Sequence, residues 1–147
     1  MYICYHTLMK IVIDTSVWIS ALITKDSSAR ELLRLVLKGK LIPQMSEALF
    51  REYESVMKRK KIQKLTPLTL LEQDELFQAY LSTCKWNEIY YAWRPNLKDE
   101  DDNFVVELAV ASGSKALITY NIKDFKDAEL LFKYTITTPD DFIKEIS

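Results

Sequence analysis

An acidic residue directly after a buried apolar run is the first candidate for chemistry in this sequence. The run at residues 10–13 is typical of a strand buried on both faces of a parallel sheet, and Asp14 stands at its carboxyl end. Ligands bind at that edge of an open α/β sheet, because loops and helix starts converge there. Asp14 is therefore a candidate site residue by its position alone, and the hydroxyls of Thr15 and Ser16 follow it.

A second acid, Glu52, is placed by helical periodicity. Leu49, Tyr53 and Val56 form the apolar stripe of a helix that Ser46 would cap, and Glu52 lies at the edge of that stripe. A carboxylate that faces the core needs a basic residue or a metal as its partner. The alternative is a carboxylate at the rim of the stripe that reaches solvent or a lysine.

Further oxygen ligands occur in the second half of the chain. Acidic residues from Asp99 to Asp102 open an apolar helix. Asp99 is suited to cap that helix, whereas Asp102 shares a face with its apolar residues and is better placed to point over the sheet. Asn121 and Asp124 come soon after another apolar run, which ends at Thr119. All these positions could meet at one edge of a parallel sheet.

A cluster of this kind predicts a metal site. Carboxylates that are packed together raise each other's pKa unless a divalent cation neutralises them. Oxygen ligands without cysteine or histidine favour Mg²⁺ or Mn²⁺ over Zn²⁺. Such a cation suits phosphodiester hydrolysis, because it activates water and stabilises charge on the leaving oxygen. Gly39 and Gly113 are the only glycines, which excludes a glycine-rich phosphate loop and a dinucleotide-binding motif.

The elements that must position these residues alternate between strands and helices. Strands are expected at residues 10–13, 41–45, 115–119 and 134–136, with a short one within 84–92. Helices are expected at residues 17–22, 29–37 and 104–111, and from Ser46, Thr66-Pro67 and Pro139 onward. This alternation predicts an α/β fold with a mainly parallel sheet.

The composition is that of one compact domain. The chain has 147 residues, 48% of them hydrophobic, and a net charge of −1. It has no overall attraction to nucleic acid or to an anionic membrane, so a polyanion needs a local basic patch or a bridging metal. Two cysteines, Cys4 and Cys84, lie far apart, without metal-ligand spacing and without the density of a secreted disulfide scaffold, which favours a reducing, cytoplasmic setting.

The first eight residues are expected to be an extension that folding does not require. They resemble neither a signal peptide nor a membrane span. The domain is therefore expected to occupy residues 9–147, and no membrane association is expected. His6, the only histidine, lies in the extension and is not a candidate catalyst.

The densest basic run begins with Lys58, Arg59, Lys60 and Lys61. We expect it to close the helix that carries Glu52, where cations suit the negative end of the helix dipole. It is either a solvated helix end or a site that gathers the backbone phosphates of RNA.

From Met9 to its end the chain resembles the PIN domain, specifically the VapC-like toxin components of bacterial toxin–antitoxin systems. The matching motifs occur in order over nearly the whole chain: Ile13-Asp14-Thr15-Ser16, Ser46 with Glu52-Tyr53-Glu54-Ser55-Val56, Asp99-Glu100-Asp101-Asp102-Asn103 with Glu107-Leu108-Ala109, Leu117-Ile118-Thr119 with Asp124-Phe125, and Thr138-Pro139. The resemblance implies a three-layer α/β/α fold around a central, mainly parallel five-stranded sheet. It also implies a Mg²⁺- or Mn²⁺-dependent ribonuclease that hydrolyses single-stranded RNA.

The same resemblance assigns roles to the acids. Asp14, Glu52 and Asp102 would be the metal-binding and catalytic acids, and Asp99 an accessory acid of the same motif. The remaining expected residues are two further metal ligands and three supporting hydroxyls: Asn121, Asp124, Thr15, Ser16 and Thr119.

One position departs from the family's pattern. Many members have an acid two residues after the threonine that ends this strand, whereas this chain has Asn121. The amide oxygen can still bind a cation but carries no negative charge, and Asp124 is expected to compensate. The main alternative is a PIN-fold protein that binds RNA or a partner protein without cleavage, with its acids serving as helix caps. A nuclease acting on DNA or on structured nucleic acid is also open.

A homodimer and a cognate antitoxin protein are further implications of the resemblance. Two expected helices are apolar over more than one face: Leu32, Leu33, Leu35, Val36 and Leu37 in one, and Leu68, Leu70, Leu71, Leu76 and Phe77 in the other. Such an excess is normally covered by another chain. We expect a two-fold dimer through one of these helices, with the other groove open to a helical antitoxin segment.

Overall fold

The structure, a computed structural model, describes residues 8–89, 103–129 and 134–146. Strands β1 to β5 are Met9–Ile13, Leu41–Met45, Lys85–Trp86, Ala116–Ile118 and Thr135–Thr137. Helices α1 to α8 are Thr15–Ile23, Ser28–Leu37, Glu47–Met57, Lys60–Leu65, Leu70–Thr83, Asn103–Ser112, Ile122–Glu129 and Pro139–Ile146. Asp99 and Asp102, the acids expected before α6, lie outside the described residues.

All the strands pair in parallel, in the order β3-β2-β1-β4-β5. The strand β1 is central because Ile11, Val12 and Ile13 are buried on both faces of the sheet. The order reverses at β1: the chain moves outward to β2 and β3, then returns to the other side for β4 and β5. The crevice for a ligand is therefore expected at the carboxyl ends of β1 and β4.

The helices pack around this sheet and give the predicted three-layer α/β/α fold. The helix α6 packs on β1, β2 and β4, whereas α2 packs on β2 and α7 on β5. Gly39 and Gly113 follow α2 and α6 with φ of 77° and 67°, the left-handed conformation in which glycine commonly ends a helix. The fold-class prediction is confirmed.

The basic run does not close the helix that carries Glu52, as the sequence had led us to expect. The helix α3 ends at Met57, and the extended backbone of Arg59 (φ −62°, ψ 136°) begins the separate helix α4. The break is held by Gln63, whose amide donates to the Met57 carbonyl at 2.7 Å and bonds to the Gln73 amide. A side-chain bond across the turn thus replaces further helical bonds, which sequence periodicity cannot show.

Two other element boundaries also differ from prediction. The helix α5 begins at Leu70, not at Thr66-Pro67, because Thr69 and Glu72 form a capping box at its start. No element was predicted between the last two strands, and the structure has the helix α7 there.

Within the described residues, no helix is both long and apolar enough to cross a bilayer.

Candidate active site at the carboxyl edge of the sheet

Asp14 lies at the junction of β1 and α1, where the sheet edge opens. It precedes the first residue of α1, but its side chain makes no capping bond to that helix. Its carboxylate oxygen Oδ2 instead accepts hydrogen bonds from the hydroxyls of Ser16 and Thr119, each at 2.8 Å. The residue is only 5% exposed. The carboxylate is thus oriented by hydroxyls and is not used as a helix cap.

Backbone N–H groups orient both hydroxyls toward Asp14. The N–H of Tyr120 donates to Ser16 Oγ at 3.2 Å, and the N–H of Asn121 donates to Thr119 Oγ1 at 2.9 Å. A hydroxyl that accepts from an amide has its own proton free to donate. Within the described residues, no donor reaches the other oxygen of Asp14, Oδ1, and no lysine or arginine pairs with it.

Glu52, on α3, is hydrogen-bonded to the segment that carries Asp14. It is half-buried, and its Oε1 accepts a hydrogen bond from the hydroxyl of Thr15, the residue after Asp14. The next residue on α3, Tyr53, donates its hydroxyl to the carbonyl oxygen of Ile13, the residue before Asp14. The two acids predicted from sequence are therefore brought to one place.

The electrostatics of Tyr53 reflect this arrangement. Burial raises the pKa of its hydroxyl well above the usual range; the hydrogen bond with Tyr80 offsets part of this rise, and the negative charges of Asp14 and Glu52 add to it. The phenol is therefore a neutral donor between two carboxylate-bearing segments.

The chain matches the family model described as PIN domain over residues 10–123. That span includes all but the first residue of β1, the site at Asp14 and Glu52, and the start of α7. The chain belongs to the PIN domain family. The family predicted from the sequence motifs is thus confirmed.

A solved structure shares this PIN fold. One chain of the crystal structure of VapBC2 from Rickettsia felis, bound to a DNA fragment from their promoter, matches with a TM-score of 0.56. The match covers 87% of this chain and 97% of that chain at 17% sequence identity. No curated protein matches the chain.

The other expected ligands of the PIN site are less closely placed. Asn121 is exposed, and it reaches the site through its backbone N–H, which bonds Thr119. Asp124 is exposed in the first turn of α7. In the part of the chain that the structure describes, no three acidic, histidine or cysteine side chains lie close enough to hold a metal. Asp14 and Glu52 are oxygen donors suited to Mg²⁺ or Mn²⁺, and the proposed third acid, Asp102, falls outside these residues.

The predicted basic residues are exposed on and just before α4: Lys58, Arg59, Lys60 and Lys61. The hydroxyl of Thr66, at the end of α4, donates to the carbonyl of Leu22 at 2.7 Å. Leu22 is near the end of α1, which begins at the site, so this helix end is about 10 Å along α1 from Thr15. The basic run stands at the opposite end of α4, a helix that packs on both α1 and α3.

Tyr53 is the functional candidate that sequence reasoning missed. It was assigned to the apolar stripe of α3, and it is indeed fully buried. The available signal was a hydroxyl next to Glu52 in an otherwise apolar stripe. A buried hydroxyl needs a partner, but its partner is a backbone carbonyl 40 residues earlier, which no sequence pattern identifies.

Proposed function

We propose that this PIN domain is a Mg²⁺- or Mn²⁺-dependent endoribonuclease that hydrolyses phosphodiester bonds of single-stranded RNA. The observation that carries the proposal is the buried carboxylate of Asp14. One of its oxygens is held by two hydroxyls, and no described group donates to the other. A buried charge without a cation is costly, so a divalent ion is the partner that this oxygen suits.

The roles follow from the positions of the oxygen donors. Asp14 and Glu52, with Asp102 from the acidic run, would hold the cation, and Asp99 would be an accessory acid. When bound, the cation supplies an activated water and stabilises charge on the leaving oxygen. Ser16 and Thr119 engage one oxygen of Asp14, which leaves the other oxygen for the cation.

Thr15, Asn121 and Asp124 would act around this centre. Thr15 fixes one oxygen of Glu52 through its hydroxyl. The backbone N–H of Asn121 donates to the hydroxyl of Thr119, and this bond does not depend on whether residue 121 is an acid. Asp124 would add negative charge at the edge of the site, in the first turn of α7.

The non-catalytic alternative is less well supported. It requires the acids to serve as helix caps, whereas the side chain of Asp14 makes no capping bond to α1. A cap would accept from backbone N–H groups of the first turn, but this carboxylate accepts from hydroxyls of Ser16 and Thr119.

The basic residues of α4 are proposed to gather RNA phosphates. They are exposed, and α4 packs on α1 and α3, the helices that carry Thr15 and Glu52. Their positive charge would attract the RNA backbone to this side of the molecule, and the cation would bind it at the acidic edge.

We further propose that the protein is the cytoplasmic toxin of a toxin–antitoxin pair and forms a homodimer. The similarity in fold to a chain of a VapBC2 structure supports an antitoxin partner. In α2, Leu32, Leu33 and Val36 are buried within the chain, so that helix has little apolar surface left for a partner. Leu70 and Leu71 of α5 are 74% and 67% exposed, and α5 is therefore the preferred dimer surface.

Cleavage of single-stranded RNA tests the proposed activity. With Mn²⁺, the wild-type protein should cleave a labelled RNA, and EDTA should stop the reaction. Asp14→Asn and Glu52→Gln should each lower the rate by at least about 100-fold, because each removes a charge that the cation requires. Asp26→Asn, an exposed acid after α1, is the matched control and should remain active. Full activity of Asp14→Asn, or cleavage that persists in EDTA, would contradict the proposal.

A further inference from the structure

We infer that Tyr53 is a positioning residue that, together with Thr15, holds Glu52 against Asp14 before the cation binds. This inference rests on the proposed function, because it concerns the cation site of that activity. Tyr53 contacts neither substrate nor cation in this scheme and acts only through the two segments that carry the acids.

Tyr53 is hydrogen-bonded to the end of β1. The pairing between β1 and β2 covers Met9, Lys10 and Ile11, so the carbonyl of Ile13 lies beyond the paired part of this strand edge. The Tyr53 hydroxyl donates to that carbonyl. It therefore joins α3 to the last residue of β1, immediately before Asp14.

A second bond joins the same segments on the other side of Asp14. The hydroxyl of Thr15 donates to Glu52. The residues on both sides of Asp14 are thus bonded to consecutive residues of α3, Glu52 and Tyr53. Because two nearby carboxylates repel each other, these bonds hold them together when no cation is present.

The ring of Tyr53 is itself immobilised. It stacks on Trp18 with ring centroids 5.6 Å apart and an angle of 12° between the planes. Trp18 belongs to α1, which begins directly after Asp14, so the ring contacts this segment as well. The hydroxyl of Tyr80 lies 3.4 Å from that of Tyr53, and both residues are fully buried.

Packing alone does not require the Tyr53 hydroxyl. Its ring lies among Trp18, Phe77 and Tyr80, a setting in which phenylalanine would fill nearly the same volume. A hydroxyl buried among apolar groups costs free energy unless it is bonded. The bonds of this hydroxyl to Ile13 and Tyr80 therefore distinguish tyrosine from phenylalanine at this position, and only the bond to Ile13 reaches the segment that carries Asp14.

The experiment compares Mn²⁺ affinity in Tyr53→Phe and Tyr80→Phe by isothermal titration calorimetry. Tyr53→Phe removes the bond to Ile13 and keeps the stacked ring, so we expect it to weaken Mn²⁺ binding by about tenfold, as losing a supporting bond around a metal does. Tyr80→Phe removes a neighbouring buried hydroxyl but leaves the bond to Ile13, and its affinity should match the wild type. Circular dichroism and melting temperature establish that both variants are folded.

A second variant keeps the inference testable if Tyr53→Phe does not fold. Thr15→Val removes the other bond between these segments, and the aromatic cluster stays intact. It should weaken Mn²⁺ binding to a similar extent.

The outcomes separate this inference from the proposed function. If the wild type binds Mn²⁺ and cleaves RNA while Tyr53→Phe binds Mn²⁺ equally well, the inference is wrong and the function stands. Equal weakening in Tyr80→Phe would show a general effect of the aromatic core and would also overturn it. If the wild type neither binds Mn²⁺ nor cleaves RNA, the proposed function fails and the inference fails with it.

Discussion

At the scale of single residues, the site depends on hydroxyls as much as on acids. Asp14 is deeply buried, yet two hydroxyls and no basic residue of the described part stabilise it. Hydrogen bonds to a charged carboxylate are stronger than those between neutral groups. Ser16 and Thr119 therefore fix which oxygen of Asp14 remains available for a cation.

Thr119→Val should weaken cation binding and RNA cleavage by about tenfold or more, because it removes a donor to Asp14 and the acceptor of the Asn121 N–H. Thr137→Val is the matched control: Thr137 is a buried threonine at the end of the neighbouring strand β5, and its hydroxyl bonds only the next backbone carbonyl among the described residues. Mn²⁺ titration of both variants provides the measurement. Equal affinities in the two variants would show that the bond of Thr119 to Asp14 has no role in the site.

Cys84 should be chemically inert in the folded protein. Burial raises the pKa of its thiol to about 12, so the reactive thiolate is scarce at pH 8. Iodoacetamide should therefore leave Cys84 unmodified in native protein and alkylate it in urea, with peptide mass spectrometry reporting the modified residue. Rapid native alkylation of Cys84 would contradict this burial.

The positions of Asp14 and Glu52 in the fold were predictable from the sequence, and the bonds that connect them were not. Asp14 follows an apolar run, and Glu52 lies on a periodic helix, so local patterns place both at the sheet edge. The bonds of Tyr53 to Ile13 and of Thr15 to Glu52 join positions far apart in the chain. Such bonds depend on how α3 packs against β1, which a single sequence does not specify.

At the scale of elements, the order of the strands determines which residues meet at the site. The carboxyl ends of β1 and β4 bring Asp14 beside Thr119, because the N–H of Asp14 bonds the carbonyl of Ile118 at 2.9 Å. The buried strands were predicted within about a residue or two of their observed bounds, since continuous apolar runs leave few alternatives. The helix α4 was missed because side-chain bonds of Gln63, and not apolar periodicity, define the turn before it. The helix α7 was missed because its residues are mostly charged.

The helix α4 is where RNA binding should be most sensitive to salt. Replacing Lys58, Lys60 and Lys61 with glutamine should weaken RNA binding and make the slope of log affinity against log salt concentration shallower by up to about 2. Each phosphate contact to a single strand releases counterions and contributes about 0.7 to that slope, and the variant loses up to three such contacts.

The control for α4 is a triple variant of equal charge at the opposite edge of the sheet. Lys38, Lys40 and Lys115 are exposed and precede the amino ends of β2 and β4. Their replacement with glutamine should leave the salt slope near that of the wild type. Equal slopes in both triple variants would assign the α4 run to the solvated surface.

At the scale of the whole molecule, the proposed dimer forms through α5. The sequence offered two helices with surplus apolar residues, and packing distinguishes them. The core residues of α2 contact α1, α5 and α8 within the chain, whereas Leu70 and Leu71 of α5 remain at the surface. Periodicity alone could not make this distinction, because it does not show which neighbours cover a helix.

A dimer through α5 should dissociate when its exposed leucines become charged. The double variant Leu70→Asp and Leu71→Asp should be monomeric by light scattering at concentrations where the wild type is dimeric. Dimerisation would remove the new carboxylates from water without a partner, which costs free energy. Leu37→Asp, on the exposed end of α2, should leave the dimer intact. A monomeric wild-type protein, or a dimer that survives the α5 change, would remove α5 as the interface.

The most direct test of the metal-site account is the melting temperature of Asp14→Asn with and without Mn²⁺. Without metal, the variant should be at least as stable as the wild type, because asparagine keeps an oxygen for Ser16 and Thr119 and removes a buried charge. Mn²⁺ should raise the melting temperature of the wild type by mass action and leave that of the variant unchanged. An equal Mn²⁺-induced rise in both proteins, or none in the wild type, would contradict a cation site at Asp14.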